Sequence, residues 1–135
     1  MMRRSLAVSA ALGLLSLPAA ACGGRATTVP PGEPVSRTNV GLTEWRVGVR
    51  DPVLAPGRVA LDVTNAGTTA HDLVVTGPGV SARTPVLPPG GTFVLRFTAR
   101  PGTRLEFFCS VAGHDGMGMR THARVAGVLA GAIGA

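Results

Sequence analysis

From Val40 onward the chain alternates apolar and polar residues one by one, in short runs cut by Pro-Gly pairs. Thr43, Trp45, Val47 and Val49 alternate with Glu44, Arg46, Gly48 and Arg50. Val59, Leu61 and Val63 alternate with Arg58, Ala60 and Asp62. Phe93, Leu95 and Phe97 alternate with Val94, Arg96 and Thr98, and Thr121, Ala123 and Val125 with Arg120, His122 and Arg124. A period of two puts successive side chains on opposite faces of a strand, so each run has one face to bury and one to hydrate. Between the runs lie Pro56-Gly57, Asn65-Ala66-Gly67, Gly77-Pro78-Gly79, Pro88-Pro89-Gly90-Gly91 and Pro101-Gly102. Proline presets φ at the first central position of a type II turn, and glycine accepts the positive φ of the second. No part of this region carries a helical period. Short strands at regular spacing predict an all-β antiparallel sandwich or barrel.

The first 21 residues read as a signal peptide rather than as part of the fold. Arg3 and Arg4 supply the positive start, and Leu6 to Leu17 an apolar run too short to span a bilayer with any margin. Pro18-Ala19-Ala20-Ala21 leads to Cys22 and Gly23-Gly24, which resembles a bacterial lipoprotein signal with Cys22 as the lipidated new N-terminus. Ala19 stands where such signals commonly have leucine, and simple secretion is the alternative. Either route exports the chain to an oxidising compartment. Residues 22–38, rich in Pro, Gly, Thr and Ser, read as the lipidated cysteine and a tether. The mature part, about 110 residues, suffices for one domain. The formal charge is +6 and every basic residue is an arginine. These arginines are scattered and no aromatic ladder accompanies them, which argues against nucleic-acid binding. Residues 127–135 form an apolar tail too short for a membrane span.

Cysteine usage narrows the chemistry. The chain has Cys22 and Cys109. If Cys22 carries lipid, Cys109 is a lone thiol where thiols oxidise, and ligation by a metal is one good reason to keep it. It opens the stretch Cys109-Ser-Val-Ala-Gly-His114-Asp-Gly-Met117-Gly-Met119, and His71 lies far upstream in Ala70-His71-Asp72-Leu73. A thiolate, two imidazoles and a thioether make the donor set of a mononuclear blue-copper site. Leu105, Phe107 and Cys109 share one strand face, as do His71, Leu73 and Val75, so both donors are predicted to point inward. Gly113, Gly116 and Gly118 let the intervening loop fold back on one ion.

From about Val40 to Val125 the chain resembles the cupredoxins, the blue copper proteins that include plastocyanin and azurin. The residues that carry the resemblance are Val63-Thr64-Asn65-Ala66-Gly67 leading into His71, Phe107-Phe108-Cys109, Gly113-His114 and the spacing on to Met119. The resemblance implies a Greek-key antiparallel β-sandwich of about seven to eight strands, spanning residues 39–126. It implies one type 1 copper ion, with His71, Cys109 and His114 in a trigonal plane and Met119 as the long axial contact. Met117 is the competitor for that role. Asp72 stands where the family often has asparagine. A carboxylate there can still accept hydrogen bonds from the ligand loop, and it adds negative charge that favours Cu(II). Ala112 replaces a proline common before Gly-His, leaving the loop less rigid. His122 alternates with Arg120 and Arg124 on the polar face and is expected to be exposed.

The function so implied is one-electron transfer in the bacterial cell envelope, not enzymatic turnover. His114 would be the electron port, rimmed by Val111, Ala112, Gly113 and Met117. The expected partners are redox proteins of the envelope, and the membrane through the lipid on Cys22, with the protein itself a monomer on the outer face of the cytoplasmic membrane. The alternative is an envelope protein that binds or delivers copper without electron-transfer turnover. A zinc enzyme with an open fourth position, a Cys-His nucleophile pair and a metal-free adhesion-like sandwich are less economical. The first leaves the methionine unused, the second lacks an orienting third group, and the last leaves the exported thiol unexplained.

Overall fold

The computed structural model describes residues 33–127. The expected signal peptide, the lipidation site Cys22, most of the tether and nearly all of the apolar tail lie outside them. Nine strands form among the described residues: β1 (Arg37–Thr43), β2 (Arg46–Val49), β3 (Val53–Leu54), β4 (Gly57–Asn65), β5 (Val74–Gly77), β6 (Val80–Arg83), β7 (Thr92–Ala99), β8 (Arg104–Phe108) and β9 (Arg120–Val125). They make two sheets, one ordered β2-β1-β4-β7 and the other β3-β9-β8-β5-β6. The all-β sandwich expected from the alternation is therefore present.

The pleat dictates what fills the space between the sheets. In β4, Val59, Leu61 and Val63 are buried while Arg58 is exposed. Leu105 and Phe107 of β8, Ala123 and Val125 of β9, and Leu73 and Val75 join Val40, Leu42 and Leu95 in one core. Removing the valine, leucine and phenylalanine side chains from water stabilises the fold by roughly 1.5–3 kcal/mol each. The glycine of four Pro-Gly pairs adopts positive φ, as their turn chemistry requires: Gly57, Gly79, Gly90 and Gly102.

Three details differ from the sequence reading. Thr43 to Val49 is not one strand. Thr43 pairs with Arg46 across a two-residue turn, so Leu42 faces Val47 and the buried phase switches from even to odd numbers. Trp45 consequently sits at the turn, 37% exposed, rather than on a buried face. This split and the two-residue β3 raise the strand count to nine. The sheets are also not wholly antiparallel: β1 runs parallel to β4, and β3 parallel to β9. Both parallel pairs arise where the chain crosses between the sheets before returning. Phe93, expected inside, is 37% exposed near the start of the edge strand β7.

Candidate metal centre

His71 is placed by the segment that leaves β4. Asn65, wholly buried, donates through Nδ2 to the carbonyls of Thr69 and Leu87 at 2.8 Å each, and its Oδ1 accepts from Gly67 N at 2.9 Å. These bonds curl residues 65–69 into a fixed turn. Immediately after it, His71 makes a two-bond bridge with Leu87, its N–H donating at 3.1 Å and its carbonyl accepting at 2.7 Å. The imidazole is thereby driven inward, with no exposed surface.

The loop between β8 and β9 supplies the other donors. Cys109 directly follows β8 and is fully buried. The loop then folds into a single 3-10 turn, residues 115–117, with His114 at its start. The His114 carbonyl accepts from Met117 N at 3.1 Å and from Met119 N at 3.2 Å, and Cys109 N donates to the Met119 carbonyl at 3.1 Å. Gly118 closes the turn at φ 112°, a conformation costly for any residue with a Cβ. A Cβ there would also approach the Trp45 carbonyl to 3.3 Å. Arg120 clamps the loop from outside, with two hydrogen bonds to Asp115 at 2.7 and 2.6 Å, an ion pair to Glu106, and its guanidinium over the Phe108 ring.

Three donor atoms converge. His71 Nδ1 and His114 Nδ1 are 3.1 Å apart, and Cys109 Sγ lies 4.0 Å from the first and 3.6 Å from the second. A triangle with these sides has its centre about 2.1 Å from every corner, within the range of metal–nitrogen and metal–sulfur bonds of a first-row ion (~2.0–2.3 Å). The outer nitrogen of His71, Nε2, lies 3.0 Å from Glu44 Oε1. A carboxylate can only accept, so Nε2 carries the proton and Nδ1 presents its lone pair to the centre.

The electrostatics suit a bound cation. Burial pushes the Cys109 thiol up from its ordinary value, and the neighbouring Asp72 carboxylate opposes the thiolate further. A thiolate at this position needs a positive partner, which a metal ion provides. Burial also works against ionisation of Asp72, but hydrogen bonds from Ser110 prevail and hold its carboxyl below the usual range. Asp72 Oδ1 accepts from Ser110 N at 2.6 Å, and Oδ2 accepts from the Ser110 hydroxyl and, at 3.2 Å, from Arg83. This carboxylate therefore holds the residue next to Cys109, as its position next to His71 led us to expect.

Of the residues singled out in the sequence, His71, Cys109 and His114 are brought to one point. Met119 is wholly buried where β9 begins, whereas Met117 is 53% exposed. His122 is exposed on the outer face of β9. Two residues escaped the sequence reading. Glu44 and Trp45, at the β1–β2 turn, reach the site from the opposite sheet. Glu44 bonds His71, and the Trp45 ring packs edge-on to His114 at 4.9 Å between centroids. The switch of apolar phase between Leu42 and Val47 was the signal that a turn, not a strand, passes through them.

No protein-family model and no curated protein matches the sequence. Solved structures do. An auracyanin from the photosynthetic bacterium Roseiflexus castenholzii, in a dithionite-reduced form, is 19% identical with a TM-score of 0.58, over 70% of this chain and 99% of that one. Auracyanin A, a "blue" copper protein from Chloroflexus aurantiacus, is 17% identical with a TM-score of 0.54, over 69% of this chain and 99% of that one. A multicopper oxidase is 17% identical with a TM-score of 0.52, over 66% of this chain, which spans only 41% of the oxidase. Taken with the two sheets and the loop that carries Cys109 and His114, these likenesses show that the chain has the cupredoxin fold.

Proposed function

We propose that this protein is a mononuclear blue copper protein that carries single electrons in the bacterial cell envelope. The observation that carries the reading is the triangle of Cys109 Sγ, His71 Nδ1 and His114 Nδ1, built on a fold shared with the auracyanins. Met119 would add its thioether to the residues that hold the ion, a role supported by its burial and by its backbone bonds to His114 and Cys109. Thiolate and thioether favour copper over harder ions, and copper held here would supply one-electron redox chemistry.

The chain's own residues serve that chemistry by holding still. Asn65, Asp72 and Arg120 fix the segments that carry the donors. A site whose donors are held in place changes little between oxidation states, which lowers the cost of gaining or losing an electron. His114, half-buried, is the route outward, and Trp45, Val111 and the exposed Met117 form the apolar rim against which a redox partner docks. Residues 39–126 make the redox domain, and Cys22 carries the lipid that anchors it through the tether to the membrane.

Electrochemistry of the copper-loaded protein tests the carrier role against copper delivery. A reversible one-electron wave and fast self-exchange are expected. Ready surrender of Cu(I) to a chelating acceptor, without a stable reversible potential, would point to copper handling instead.

A further inference from the structure

We propose that Glu44 is a positioning residue of the metal centre, its carboxylate fixing the outer nitrogen of His71 and placing a negative charge one imidazole ring from the metal-facing nitrogen. This rests on the reading of His71 as a ligand. Three observations carry it. First, Glu44 Oε1 lies 3.0 Å from His71 Nε2 although the two residues come from different segments of the fold. Second, the carboxylate is itself held: Oε1 also accepts from Thr68 N at 2.8 Å, Thr69 N at 2.8 Å and the Thr69 hydroxyl at 2.9 Å. Third, the chain leaves room for this contact only because residue 67 is glycine. A Cβ on Gly67 would lie 2.6 and 2.8 Å from the two Glu44 oxygens and 2.9 Å from His71 Nε2.

Two consequences follow. The carboxylate selects the tautomer with the proton on Nε2, so Nδ1 is free to ligate before any metal arrives. It also makes the imidazole a stronger donor and places a charge that stabilises Cu(II) more than Cu(I), because the more highly charged ion gains more from it. The hydrogen bonds from Thr68 and Thr69 all fall on the carboxylate oxygen that faces His71, so that oxygen is held in place by the turn. The same turn places Trp45 against His114, so one hairpin tip touches both imidazoles.

The test uses Glu44→Gln, nearly the same shape without the charge, and Gly67→Ala, which displaces the carboxylate while leaving it ionised. In metal-free protein, long-range proton–nitrogen correlation spectra should show His71 as the Nε2–H tautomer, and both variants should weaken that preference. In copper-loaded protein, Cu(II) affinity should fall ~10–100-fold in Glu44→Gln, Cu(I) affinity should fall less, and the reduction potential should rise. Gly67→Ala should move the potential in the same direction. A role confined to tying the Thr68–Thr69 turn would change stability but not potential. Folded variants with the potential, affinity ratio and His71 tautomer of the unsubstituted protein would overturn the proposal. Failure of the unsubstituted protein to form a thiolate–copper site would overturn the functional reading instead, and the tautomer measured without metal would still decide the Glu44–His71 contact.

Discussion

The amide of Cys109 donates to the carbonyl of Met119 at 3.1 Å, so the loop that leaves β8 and enters β9 begins and ends on one hydrogen bond. Both residues are sealed from solvent, and His114 sits between them on the loop's outer bend. A sulfur residue is thus fixed at each end, with an imidazole at the middle, by backbone bonds that need no metal.

On the copper reading, Cys109 is the least replaceable of the candidate donors. Cys109→Ser should abolish the intense thiolate-to-copper colour while leaving the sandwich folded, since the exchange of sulfur for oxygen is small. Visible absorption beside far-ultraviolet circular dichroism checks both halves of the expectation.

The two methionines should behave differently. Met119→Leu should keep copper and raise the potential, at a stability cost under about 1.5 kcal/mol for a volume-conserving core exchange. Met117→Leu, at a residue 53% exposed, should leave the potential close to its original value. Equal shifts in the two variants would move the axial role.

Asp72 ties the His71 segment to the Cys109 loop. Asp72→Ala leaves Ser110 N without its acceptor and should cost about 1–3 kcal/mol in urea unfolding. Arg83→Ala should cost less, because its guanidinium is largely exposed and Ser110 retains its bonds to the carboxylate.

Glu44 predicts a direction of acid sensitivity. Its carboxyl is held down to about 2 in the folded chain against an ordinary 4.5. A depressed carboxylate stabilises the fold fully above the ordinary value and progressively less as pH falls toward the folded one. The stability difference between the unsubstituted protein and Glu44→Gln should therefore be constant near neutrality and shrink between pH 4.5 and 2. Denaturant midpoints at several pH values check it.

His122→Ala should leave the spectrum and the potential unchanged, since the ring is exposed on the outer face of β9. A changed spectrum would bring an unexpected imidazole into the site.

The sandwich and the inward placement of His71 and Cys109 were legible because local rules governed them. Val59, Leu61 and Val63 follow the pleat, the Pro-Gly turns follow φ, and Cys109 and His71 continue inward strand phases. What was missed came from long-range placement. Glu44 reaches His71 only after β1 lies beside β4, with Leu42 paired to Asn65. Nothing in the sequence around Glu44 announces that neighbour. Trp45 was misplaced for a related reason: the period of two continues formally across a two-residue turn, although the face it marks has reversed. The exposure of Phe93 depends on its place near the start of an edge strand, which alternation alone does not register.

The central claim is that Cys109, His71 and His114 surround one copper ion. Titration of the metal-free protein with Cu(II), followed by visible absorption and paramagnetic resonance, tests it most directly. The account predicts an intense thiolate-to-copper band that saturates at one equivalent and is absent in Cys109→Ser. No such band, or the same band in Cys109→Ser, would contradict it.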